Sequence, residues 1–206
     1  MRGGRNLTEA AAAIEYCPLA FDTPIDLQPL FDNAGARLEV DLGCGGGSFL
    51  AALAERNPDA NFLGVEQMLG RVRGSCGVIA RSGLRNARVI RCEIGLAVRL
   101  LPPNSVDLFH LMFPDPWPKR RHHRRRVFSR ELLHSLGVAL KPEGLLHVAT
   151  DDAEYFAEML HIAGGDGAFV ATNASIFHDL PRSTFEERFV QAGEQVHRLV
   201  LRKVSG

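Results

Sequence analysis

Cysteine is scarce and dispersed in this chain: Cys17, Cys44, Cys76 and Cys92 stand alone, with no C-x-x-C spacing. That pattern argues against a zinc site or a disulfide framework, so no metal is expected, and it fits a reducing, cytoplasmic compartment. No apolar stretch approaches the roughly 20 residues that would cross a membrane, and the first residues lack an apolar core of signal-peptide length. Neither an internal repeat nor a low-complexity linker is present. Net charge is also absent, 24 Lys and Arg balancing 24 Asp and Glu. The chain as a whole is no polyanion trap, and any nucleic-acid contact has to be a local patch.

What is there is enough apolar material for a full core: 206 residues at 46% hydrophobic content, which suits one domain. Residues 1–36 are the least patterned and are expected to form a leader on or near that core, with Arg2 and Arg5 available to phosphate and a short helix over 7–16. From residue 37 to 206 the pattern becomes an alternation of short apolar runs and helical segments. Strands are expected at 37–42, 61–65, 87–92, 105–112, 145–149, 168–172 and 195–202. Helices are expected at 48–56, 67–82, near 101, at 127–140 and at 152–163, with a turn over 141–144. Strands alternating with helices imply right-handed βαβ units in a mostly parallel, doubly wound α/β sheet with helices on both faces. Ligands of such sheets bind outside the carboxyl ends of the strands.

The first of these strands runs into Asp41-Leu42-Gly43-Cys44-Gly45-Gly46-Gly47. Glycines permit positive φ and close backbone approach to a ligand. The dinucleotide fingerprint would need Gly or Ala at 48, where Ser48 stands; the fit is to D-x-G-x-G-x-G, with an acid ahead of the glycines. That acid would repel a pyrophosphate but suits the ammonium and sulfonium of S-adenosylmethionine. Glu66 ends the second strand about 20 residues on, where an acid grips ribose hydroxyls. Glu93 ends the third, where an adenine contact would fall. As single residues, Asp41 reads equally as a strand-end cap and Glu66 as a surface acid; it is their combination with the glycines that points to a methyl-donor site.

After the fourth strand comes Phe113-Pro114-Asp115-Pro116-Trp117-Pro118, then Lys119-Arg120-Arg121-His122-His123-Arg124-Arg125-Arg126. Seven Lys or Arg lie between Lys119 and Arg130, against no acid. Each proline pushes the residue before it toward extended backbone, so Asp115 and Trp117 are expected on a stiff, non-helical segment. Taken alone, this is a rigid turn followed by a solvated charge run. In context it resembles the signature of the tRNA (guanine-N7-)-methyltransferase family, TrmB type. Leu146-His147-Val148-Ala149-Thr150-Asp151 with Tyr155, and Ser183-Thr184-Phe185-Glu186-Glu187-Arg188, are similar to further motifs of that family.

The resemblance implies a Rossmann-like class I methyltransferase fold and methyl transfer from S-adenosylmethionine to N7 of a guanine in the tRNA variable loop. It places Asp41, Glu66, Glu93 and Asp115 at cofactor positions together with Gly43 and Gly45, and gives Asp115 the catalytic position. It places Lys119, Asp151 and the stretch Ser183, Thr184, Phe185, Glu186 at substrate positions. The run 119–126, Arg124 and Arg125 included, would bind RNA phosphate. Asp115 either stabilises charge or orients the base; Trp117 either stacks on a base or fills the core. Asp151 would serve equally as a helix N-cap, and Glu186 as a surface partner of Arg188. Four positions depart from the family pattern: Asp41 for Glu, Glu93 for Asp or Asn, Ser183 for Thr, which keeps the hydroxyl, and Thr184 for Lys. The expected partner is tRNA, with no membrane and no obligate protein partner, as monomer or homodimer. Other readings are methylation of another base nitrogen or protein nitrogen, and an RNA-binding relative that has lost turnover.

Overall fold

The computed structural model describes residues 8–18 and 20–204; Arg2, Arg5 and Leu7 lie outside them. Helix α1 (Glu9–Ala12) and strand β1 (Glu15–Tyr16) lead into β2 (Leu38–Leu42), α2 (Ser48–Arg56), β3 (Asn61–Glu66), α3 (Leu69–Arg81), β4 (Ala87–Arg91), α4 (Ile94–Leu100) and β5 (Val106–Met112). Then follow α5 (Arg130–Ala139), β6 (Leu140–Thr150), α6 (Ala153–Gly164), β7 (Phe169–Thr172), α7 (Thr184–Gln191) and β8 (His197–Lys203). The eight strands form one sheet in the order β1-β4-β3-β2-β5-β6-β8-β7. Neighbours are parallel except β8, which is antiparallel to β6 and β7. From β2 the chain winds outward through β3 and β4, then returns to place β5 on the other side of β2. The crevice between the carboxyl ends of β2 and β5 is therefore the topological switch point.

Every residue of β2 and β3 is buried, as expected for strands covered on both faces. Val98, Leu132 and Leu136, from α4 and α5, pack over Val40, Val65, Phe109 and Val148 on one face. Leu50 and Leu53 of α2, with Val72 and Ile79 of α3, cover Phe62 and Val89 on the other. Tyr155 of α6 is fully buried, and its hydroxyl accepts the Phe128 N–H at 2.9 Å. No helix among the described residues is long and apolar enough to cross a membrane.

Four local expectations are corrected. The N-terminal helix stops at Ala12, because the Val89 N–H captures the Ile14 carbonyl at 3.0 Å and draws residues 15–16 onto the sheet edge. Residues 141–144 form an irregularity inside β6, with Glu143 at φ 63°, and do not separate helix from strand. The basic run, to which the sequence assigns no helix or strand, coils over Arg120–Arg125 into a 3-10 helix. Residues 184–191 form α7, an element not anticipated, started by the Ser183 hydroxyl, which accepts the Glu186 N–H at 3.1 Å.

Tyr155→Phe keeps the ring but strands the buried Phe128 N–H. Urea unfolding should show a loss of about 1–3 kcal/mol, and an unchanged midpoint would mean that this amide finds another partner.

Candidate active site

The glycine turn owes its shape to positive φ at Gly43 (81°), Gly45 (56°) and Gly47 (79°), where side chains with a Cβ are strained. The Gly43 and Cys44 N–H groups both donate to the Val65 carbonyl, at 2.8 and 3.0 Å, stitching the turn to β3. A Cβ on Gly47 would stand 2.8 Å from Ser75, so the turn can lie against α3 only with glycine there. Helix α2 then begins without a side-chain cap, leaving its first amides to face the cleft.

Two acids end the strands beside this turn. Asp41 and Glu66 are both buried. Glu66 Oε1 accepts the Met68 N–H at 2.8 Å, and its Oε2 lies 3.7 Å from the Arg71 guanidinium. Burial, reinforced by the charge on Glu66, pushes the Asp41 carboxyl from 3.8 up to about 7. Glu93 is turned back on its own chain as the N-cap of α4. Its two oxygens accept the Gly95 and Leu96 N–H groups at 2.9 and 2.8 Å, and each keeps a free lone pair for a ligand.

Beyond β5 the Phe113 N–H donates to the Ala149 carbonyl at 2.8 Å. The chain then departs from the extended path expected before proline: Phe113 has φ 52° and Trp117 φ 48°. A left-handed non-glycine residue costs about 1–2 kcal/mol. Arg126 grips this segment between the two left-handed residues, and it is not the solvent-facing phosphate ligand expected of the run. It is buried, its Nε donates to the Pro116 carbonyl at 2.8 Å, it pairs with Glu158 and with Glu154, and it lies over the Tyr155 ring. Trp117 is half-buried in the cleft wall, outside the core, with the Arg125 guanidinium 4.8 Å from its ring centre and His122 against it edge-on. Asp115 is exposed and has no hydrogen bond or ion pair among the described residues.

These segments enclose a cleft of two adjoining lobes. The larger, about 490 Å³, is lined by Gly43, Glu66, Glu93, Asp115, Trp117, Arg124 and Arg125. The smaller, about 330 Å³, is lined by Asp41, Gly43, Gly45, Ser183, Thr184 and Phe185. Most of the residues singled out in the sequence thus share one cavity. Lys119, Asp151 and Glu186 line neither lobe. Asp152, not Asp151, caps α6, its Oδ1 accepting the Tyr155 N–H at 2.7 Å. Glu186 is no surface partner of Arg188: it is buried and pairs with Arg198. The Thr184 hydroxyl meets Ser48 at 3.0 Å, tying α7 to the start of α2. Arg71, Met112 and Arg188 also line the cleft and were not read from the sequence. A basic residue five positions past the strand-end acid was the one available sign of Arg71.

A glycine turn and paired acids at the switch point of a sheet with one antiparallel strand near its edge define a Rossmann-like, class I methyltransferase. Solved structures share that fold. A 16S rRNA methyltransferase, KamB, superimposes with TM-score 0.60 at 17% identity, over 87% of this chain and 91% of that one. The 16S rRNA adenine methyltransferase of Catenulisporales acidiphilia, solved with its cosubstrate SAM, gives TM-score 0.57 at 14% identity, over 89% and 93%. The family model described as "Putative methyltransferase" matches residues 36–199. The tRNA (guanine-N(7)-)-methyltransferase of Halorhodospira halophila is 39% identical over 185 residues, 86% of this chain and 79% of that protein. The chain belongs to the tRNA (guanine-N7-)-methyltransferase family.

Asp41 carries a stability signature. Its native carboxyl holds a proton up to about pH 7, whereas its ordinary value is 3.8. The folded state therefore binds that proton more tightly, and stability falls as pH rises from about 4 to 7. Asp41→Asn removes this dependence. Urea unfolding across that range should shift in favour of the variant by a few kcal/mol at most; parallel pH profiles would mean that Asp41 is ionised throughout.

Proposed function

We propose that this chain transfers a methyl group from S-adenosylmethionine to N7 of a guanine in the variable loop of tRNA. The observation that carries the reading is the convergence of three things in one cleft. These are buried carboxylates without a full complement of cations, an exposed acid on a strained loop, and exposed arginines at the mouth. The donor set fits the cofactor. Asp41 and Glu66 form an electron-rich floor suited to an ammonium, a sulfonium or ribose hydroxyls, the glycine turn leaves room for close approach, and the uncapped amides of α2 suit a carboxylate. When bound, S-adenosylmethionine supplies an electrophilic methyl group on a cationic sulfur.

The residues of the chain do the rest by position and charge. Guanine N7 presents a lone pair and no proton, so no general base is required. Asp115, unpaired and in the larger lobe, meets the positive charge that develops on the purine as N7 is alkylated, and this interaction strengthens toward the transition state. Trp117 offers a half-exposed indole to an extruded base, with Arg125 backing its ring. Arg124 and Arg125 bind phosphate, while Arg126 holds the loop. Lys119 and Asp151, outside both lobes, contact parts of the tRNA away from the target base, and Ser183, Thr184 and Phe185, at the start of α7, border the smaller lobe and meet the tRNA there. Glu93 keeps its role at the adenine end through its free lone pairs.

Incubation with methyl-labelled S-adenosylmethionine and unmodified tRNA should place label in 7-methylguanosine; label at another nitrogen, or none, defeats the proposal. In the same assay Asp115→Ala should lower turnover about 10²-fold with tRNA affinity largely retained, and a pure loss of affinity would contradict its assigned role.

The double substitution Arg124→Ala, Arg125→Ala should weaken tRNA binding and reduce the slope of log affinity against log salt by roughly 1–2. Because buried Arg126 is left in place, the loop should survive, and an unchanged slope would remove these two residues from the RNA surface.

A further inference from the structure

Across the centre of the sheet runs a rank of polar side chains that the cleft does not use. Glu39 of β2, His110 of β5, His147 of β6 and Arg198 of β8 stand on four successive strands. The register sets His110 opposite His147 and Asp41, and sets His147 and Ala149 opposite Val200 and Arg198. Side chains at paired and alternate positions share one face, so all four lie on the same side of the sheet. Both histidines are fully buried and Glu39 nearly so. His110 meets the Phe49 ring of α2 edge-on, and His147 stacks on Phe177 at 4.6 Å.

The contacts form one continuous chain. Arg37 pairs with Glu39 at 2.8 Å. Glu39 Oε2 lies 2.9 Å from His110 Nε2, His110 Nδ1 lies 3.3 Å from His147 Nδ1, and His147 Nε2 lies 3.2 Å from the Arg198 guanidinium. Arg198 in turn pairs with buried Glu186 of α7. Only one arrangement of protons satisfies every link. Arg198 has no acceptor, so it donates to His147 Nε2. His147 then carries its proton on Nδ1 and donates to His110 Nδ1, and His110 carries its proton on Nε2 and donates to Glu39. Both imidazoles must be neutral, in agreement with burial, the largest cause, pushing His147 down to about 2. Every donor points from the cation Arg198 toward the anion Glu39.

A well-packed apolar rank would serve stability as well as such a chain. What the polar chain adds is direction, because Arg198 can hold Glu186 in one place only while its other guanidinium nitrogen is held by His147. Glu186 sits in the first turn of α7, beside Ser183, Thr184 and Phe185, which border the smaller lobe. We infer that His147 and Arg198 are positioning residues that lock Glu186, and with it the N-terminus of α7, onto the centre of the sheet, so that the tRNA-facing edge of the cleft is set by a hydrogen-bonded chain reaching across four strands. The inference rests on the proposed function, since it assigns α7 to the tRNA side.

His147→Leu keeps an apolar ring site filled but frees Arg198. It should raise the KM for tRNA roughly fivefold or more, with kcat and the KM for S-adenosylmethionine within about twofold of wild type. His147→Gln, which can both accept from Arg198 and donate to His110, should recover most of the loss. Arg198→Lys, which keeps a charge for Glu186 but lacks the fork, should behave like His147→Leu and serves if the leucine variant does not fold. Glu186→Ala combined with His147→Leu should be no worse for tRNA than Glu186→Ala alone. Additive effects, or an unchanged KM for tRNA in a folded variant, overturn the inference. Wild-type protein that makes no 7-methylguanosine fails the functional reading instead. In that event amide exchange decides: α7 should exchange at least about tenfold faster in His147→Leu, and equal rates sink the positioning role.

Discussion

Arg126 is a guanidinium buried at the end of a run of exposed cations, and the shape of the cleft hangs on where it reaches. Its Nε holds the carbonyl of Pro116, its terminal nitrogens are taken by Glu158 and Glu154 of α6, and the Tyr155 ring lies under its plane. A buried charge without partners would be several kcal/mol unfavourable; with each of its three nitrogens engaged it becomes a rigid strut. That strut fixes the Pro116 carbonyl, on the short segment between left-handed Phe113 and left-handed Trp117. Asp115 lies between the two strained residues, so its exposure at the cleft follows from the clamp on α6 and not from the proline pattern by itself.

The other side of the cleft is governed by the opposite problem, two neighbouring buried acids whose joint ionisation is opposed, so that Asp41 holds its proton up to about pH 7. Asp41 and Glu66 end neighbouring strands inside the core, and the cation near them is Arg71, 3.7 Å from Glu66 and half exposed. Such a floor is unfavourable when both acids are ionised and becomes favourable when a cation enters. The sheet tolerates it because β2 and β3 are anchored on both faces by the two apolar clusters. Binding chemistry is thus concentrated where the strand order reverses, and stability is held elsewhere.

Much of this was legible in the order of residues. The alternation of apolar runs and helices located β2 to β7 within a residue or two at most ends, save the start of β6, because strands buried on both faces and helices of amphipathic period leave strong local patterns. The glycine turn with Asp41 and Glu66, and Asp115 between prolines, could be picked out because each combines unusual residue types at short range. The failures share one cause. Whether Arg126 faces water or Glu158, whether Glu186 pairs with Arg188 or Arg198, and whether Asp151 or Asp152 caps α6 depend on neighbours far along the chain or on one residue of helical phase. The left-handed turn at Trp117 ran against the local preference before proline, and a tertiary contact overrode it.

The sequence by itself determined most of the elements from β2 to β7 and the residue types gathered at the switch point, since these follow from periodicity and from short-range chemistry. Tertiary structure alone decided which charges meet. His110 and His147 look like isolated histidines in two apolar strands; only the parallel register of β5 and β6 sets their rings edge to face, and only the antiparallel return of β8 brings Arg198 to complete the chain to Glu186. Burial then turns these meetings from weak, screened contacts into constraints, because in a dry interior an unpaired donor or charge costs far more than at the surface. The cations that line the mouth of the cleft and the one that holds it in shape are neighbours in sequence, and the fold separates them.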